Sequence, residues 1–72
     1  MSNRIQQLRE ENNMTQLRLS IELEVEQQLI SAYELGTCYP PIESLLILSD
    51  LFDENIDYIL GFSDIRKTDA TK

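Results

Sequence analysis

A compact all-α domain of five short helices is the fold class this sequence predicts, and three observations lead to it. Apolar residues recur three and four positions apart along the whole chain, and no stretch alternates as a half-buried strand would. Start and stop residues (Thr15, Gly36, Pro40, Pro41, Asn55 and Gly61) cut that pattern into short pieces. The length of 72 residues, with 42% hydrophobic and 26% charged residues, suits one small globular domain rather than a disordered chain.

Each element follows from particular residues. Ile5 and Leu8 mark the inner face of a first helix, which runs out at Asn12 and Asn13. Thr15 is placed to cap a second helix, whose buried face is Leu19 and Leu23. Glu26 opens a third, with Ile30 and Tyr33 turned inward. Gly36 supplies a left-handed stop, and Tyr39, Pro40 and Pro41 form an extended connector. Pro41 sits where a fourth helix can start, because its missing N–H is not needed there. Leu45, Leu48, Leu51 and Phe52 give that helix its apolar stripe. Asn55 caps a short fifth helix in which Ile56, Ile59 and Leu60 pack inward, Gly61 ends it, and Phe62 folds back on the core. Residues 1–62 thus make the domain. Residues 63–72, polar apart from Ile65 and Ala70, read as a frayed tail.

Charge and composition narrow the function. The net charge of −7 argues against non-specific binding to nucleic acid or to anionic membranes by the domain as a whole. No apolar run is long enough to span a membrane, and the N-terminus lacks the apolar core of a signal peptide. The single cysteine, Cys38, excludes an intramolecular disulfide and suits a reducing cytoplasm. There is no His, no Gly-rich phosphate loop, and no Ser, Cys or Lys beside an evident activating base, so neither an enzyme nor a cofactor is expected. Glu43, Asp50, Asp53, Glu54 and Asp57 are spread around the fourth and fifth helices rather than gathered as metal ligands. Tyr33, Tyr39, Phe52 and Tyr58 read as packing, not as a platform on which bases stack.

Two short helices across a tight turn, Thr15–Leu23 and Glu26–Leu35, are the sequence form of a helix-turn-helix. The words RIQQLREENNMTQ, LSIELEV, QQLISAYELG, YPPIESLLILSDLF and NIDYILG, in that order, resemble the phage repressor and Cro family (Xre-like) over residues 3 to 62. The resemblance implies a lambda-repressor-like fold and a sequence-specific regulator of transcription, of repressor type, on a double-stranded DNA operator. It implies that Gln16 holds a backbone phosphate, and that Gln27 and Gln28 reach base edges in the major groove. Ser31 and Ala32 lie one turn further along, and Arg18 assists at the phosphates. It also implies a structural pair between Arg9 and Glu34, and a homodimer contact near Ile56, Tyr58, Ile59 and Phe62. The chemistry of the two glutamines agrees: a planar amide carries a donor and an acceptor that match adenine N7 and N6 together.

The surroundings of those glutamines pull the other way. From Thr15 to Gly36 the only cation is Arg18, against Glu22, Glu24, Glu26 and Glu34. The basic residues that often follow the third helix in relatives are replaced by Thr37 and Cys38, and Glu24 stands where the turn usually has Gly. Leu17 and Ile21 on the second helix, and Ile47 on the fourth, are apolar at outward positions and suit a protein partner. The alternative function is therefore a protein-interaction module on the same fold, anti-repressor or antitoxin-like.

Overall fold

The computed structural model describes residues 3–67, and these form five helices without a strand. They are α1 (Ile5–Glu11), α2 (Gln16–Leu23), α3 (Gln27–Leu35), α4 (Ile42–Phe52) and α5 (Ile56–Leu60). One device ends all five. A residue in the left-handed region follows each helix: Asn13, Glu24, Gly36, Asp53 and Gly61. The next N–H then reaches back five residues to a carbonyl: Met14 to Arg9, Val25 to Ser20, Thr37 to Ala32, Glu54 to Ser49 and Phe62 to Asp57, at 2.9–3.2 Å. This closure satisfies carbonyls that a helix end leaves open and turns the chain sharply, which is how 65 residues carry five helices. Gly and Asn take the left-handed conformation at little cost, whereas Glu24 bears a penalty of about 1 kcal/mol.

Helix starts are less uniform. The Thr15 hydroxyl accepts from the Arg18 N–H at 3.1 Å, as its position predicts. Asn55 holds the cap position of α5, but its side chain makes no cap bond. Pro41 is the cap residue of α4, one position earlier than expected, with Ile42 the first helical residue.

The core is Ile5 and Leu8 of α1, Leu19 and Leu23 of α2, Ile30 and Tyr33 of α3, Leu48 and Phe52 of α4, and Tyr58 and Ile59 of α5. Leu45 and Leu51 pack at its edge. α2 lies on α3 and α4, α1 on α3 and α5, and α4 on α5. Three expectations about the last helix are corrected. Tyr58 and Ile59 are buried, so neither side chain is offered to a second copy. Phe62 is 66% exposed rather than folded back. Its N–H is tied to Asp57, and the polar Asp57 gives the ring no apolar landing where such closures usually have one. Ile56 and Leu60 are half-buried.

The expected frayed tail is also corrected in part, because Ser63 to Lys67 are fastened to the domain; residues 68–72 lie outside the described residues. Arg66 bonds Glu54 at 2.7 Å and Glu11 at 3.0 Å. The Lys67 N–H bonds Glu54 at 2.9 Å, and its ammonium lies 3.0 Å from Asp53. From the other terminus, the Arg4 guanidinium donates to the carbonyls of Tyr58 and Ser63 and pairs with Asp64. Two guanidinium groups lie over the Tyr58 ring, Arg4 at 4.1 Å and Arg66 at 5.3 Å from its centroid. Glu54 is buried, and these bonds are why a carboxylate can lie there at all.

This clasp has a pH signature. The hydrogen bond from Arg66, aided by Gln7, holds the Glu11 carboxyl below its ordinary pKa. A carboxyl depressed by folding adds stability above its unfolded value, about 4.3, and that contribution disappears as pH falls through the folded value. Arg66→Ala is therefore expected to lower the urea midpoint at pH 7. The gap to the parent should narrow as pH drops below 4, read by circular dichroism at pH 7 and pH 3.

Candidate nucleic-acid interface

The turn between α2 and α3 sets the geometry of the pair. Glu24, at φ 57° and ψ 43°, reverses the chain, and Val25 packs against the core. Glu26 is extended at φ −73° and ψ 149°, after which α3 begins at Gln27. Ile30 and Tyr33 hold the inner face of α3, with Leu29 beside them. Gln27 and Gln28 consequently stand exposed on its first turn, and Ser31 and Ala32 are half-buried one turn on. The residues assigned to base contact are thus brought to one end of one helix.

A partly buried polar group of three, Arg9, Gln16 and Glu34, ties the start of α2 to the end of α3. Arg9 Nε donates to Glu34 Oε2 at 2.6 Å, Nη2 to Glu34 Oε1 at 3.3 Å, and Nη1 to the Met14 carbonyl at 2.8 Å. The hydrogen bond to Glu34 outweighs burial and holds the proton on Arg9 more tightly than usual. Gln16 Nε2 donates to the same Glu34 Oε1 at 3.0 Å. Sequence reasoning placed Arg9 beside Glu34 but missed the tie from Gln16. An amide nitrogen has two N–H bonds, so Glu34 engages one and leaves the second available. Gln16 is held in place rather than withdrawn.

The charges are less hostile than the sequence suggests. Arg9, which lies outside the α2–α3 stretch, neutralises Glu34, and Arg18 pairs with Glu22 at 2.9 Å. Glu24 and Glu26 remain exposed without a cation among the described residues. Arg18 also lines an open groove of about 430 Å³ with Asn12, Asn13, Met14, Thr15 and Leu51, beside the first turn of α2. The free N–H groups and positive dipole end of that turn suit an anionic oxygen.

One feature of this surface was not foreseen. Gln28 Nε2 donates to Glu26 Oε1 at 2.8 Å, an i, i+2 contact that the adjacency of the two residues would have allowed. Gln27, by contrast, has its whole amide free of protein partners among the described residues. Leu17 and Ile21 are exposed on the outer face of α2, as expected, whereas Ile47 only borders on exposure.

Known proteins resemble this chain over most of its length. It is 34% identical over 61 residues, 85% of this chain and 54% of the relative, to the uncharacterized HTH-type transcriptional regulator YobD of Bacillus subtilis (strain 168). It is 39% identical over 62 residues, 86% of this chain and 30% of the relative, to the HTH-type transcriptional activator BcrR of Enterococcus faecalis. It is 29% identical over 59 residues, 82% of this chain and 51% of the relative, to the uncharacterized HTH-type transcriptional regulator YqaE of Bacillus subtilis (strain 168). The chain therefore spans about half of two of these relatives and under a third of the other. No solved structure matches it with comparable significance. No helix among the described residues is long and apolar enough to cross a membrane. Residues 2–61 match the model of the helix-turn-helix domain, nearly the whole of the described chain. This chain belongs to the helix-turn-helix domain family.

Proposed function

We propose that this chain is a sequence-specific, double-stranded-DNA-binding regulator of transcription that reads the major groove with α3. It acts in the cytoplasm as a homodimer and carries out no reaction of its own. The observation that carries this reading is the exposure of Gln27 and Gln28 on the first turn of α3, the helix whose inner face is locked into the core. Two relatives named as HTH-type transcriptional regulators and one named as an HTH-type transcriptional activator support its regulatory part. Repression is the simplest mode, since a domain seated in the groove excludes other proteins from the same base pairs. With Tyr58 and Ile59 in the core, contact between copies falls to Ile56 and Phe62.

Uncharged groups supply the grip: the amides of Gln16, Gln27 and Gln28, and the first-turn N–H groups of α2 and α3. Few counterions are then released. Binding to a selected duplex should weaken gently with salt, with a log–log slope no steeper than about −2. Selection from a random duplex pool at low salt should enrich a motif whose half-sites lie about 10 base pairs apart. An unenriched pool would overturn the reading. The second reading, a protein-interaction module, draws on the exposed Leu17 and Ile21 of α2 and on Ile47. Capture of a protein through α2, lost in Ile21→Asp, together with an unenriched pool would establish it.

A further inference from the structure

We infer that Glu26 is a specificity-determining residue that selects cytosine beside the base read by Gln27. This rests on the DNA-binding reading above and extends it to the chemistry of one operator position. Glu26 occupies the cap position of α3, yet its side chain makes no cap bond. The carboxylate instead turns toward the exposed tip, where Oε1 accepts from Gln28 Nε2 at 2.8 Å. Among the described residues no cation neutralises it, and Oε2 is left with its lone pairs unengaged.

The tip is therefore asymmetric. Gln27 offers a free donor and a free acceptor, the pattern that adenine meets at N7 and N6. Glu26 and Gln28 together present Glu26 Oε2, Gln28 Oε1 and one remaining N–H, an excess of acceptors. Guanine shows two acceptors in the major groove, O6 and N7, and thymine shows O4, so each places lone pairs against the carboxylate. Adenine offers its N6 amino group but sets N7 beside it. Cytosine offers the N4 amino group and no acceptor on its own major-groove edge, so it is the base that suits a carboxylate best. The residue that weakens the grip on phosphates is thereby the one that chooses a base. This gives the acidic tip a use rather than only a cost.

The test compares three proteins, the parent, Glu26→Gln and Glu24→Gln, by selection from a random duplex pool at low salt, followed by titration of single-base variants of the enriched duplex. Both substitutions remove one exposed carboxylate, but only Glu26 lies at the tip, and melting curves confirm that the variants fold alike. The expected result is a cytosine at one position for the parent and for Glu24→Gln. In Glu26→Gln that preference should fall about tenfold, with adenine accepted in its place. An enriched motif whose base preferences are the same in all three proteins would overturn the inference and leave the DNA-binding reading standing. A pool from which the parent enriches nothing would overturn both.

Discussion

Replacing Glu34 by Ala is expected to destabilise the domain by about 3–5 kcal/mol, enough to leave a protein of this size largely unfolded near 37 °C. The reason is the position of its partner. The Arg9 side chain is 11% exposed and that of Glu34 is 4% exposed, so removing the carboxylate strands a guanidinium inside the fold. The Met14 carbonyl still accepts from Arg9, which places the loss toward the lower end of the range. Gln16 loses its partner in the same stroke, so a variant trapped in the folded state would also present α2 with a loose first turn. Glu34→Gln retains an acceptor for Arg9 and should cost markedly less. Urea unfolding of both variants by circular dichroism reads the difference. Equal, small losses would show that the pair is screened as a surface pair is.

Ile59→Ala is the second large effect, at about 2–5 kcal/mol. Ile59 is 0% exposed at the point where α5 meets α1 and α4, and its carbonyl anchors the chain start by accepting from the Arg4 N–H at 2.8 Å. The side chain removed leaves a cavity that five short helices have little freedom to close. Phe62→Ala, three residues on, should change stability by under about 0.5 kcal/mol but weaken self-association, because its ring is offered to solvent. Thermal melts paired with sedimentation equilibrium separate the two. Were Ile59→Ala to melt like the parent and lose only the proposed self-association, the packing of α5 described above would be wrong.

The helices were legible in the sequence because their signals are local. Apolar positions three and four apart identified the buried faces of α1 to α4, and Thr15 and Gly36 marked ends that the structure keeps. The face of α5 was misread at Tyr58, since five residues are too few for a period to single out one side. Asn13 and Asp53 as left-handed helix ends went unnoticed, although both belong to the residue types that tolerate that conformation. The clasp was illegible for a different reason. Arg66 meets Glu54 across 12 residues and Glu11 across 55, and no pattern in a single sequence links such positions. Gln16 and Glu34, 18 apart, escaped in the same way. Of the candidate site, the first turn of α3 was visible as a pair of amides, whereas the neutralisation of Glu34 by a residue from α1 depended on the fold.

The proposed regulator depends on two uncharged amides at the start of α3 touching bases in spite of the carboxylates around them. The direct measurement is fluorescence anisotropy on the selected duplex with the parent and with Gln27→Ala/Gln28→Ala, after confirming that both melt at the same temperature. Two base contacts of about 1–3 kcal/mol each predict a loss of affinity of about 30-fold or more. An unchanged affinity with the fold intact would contradict it.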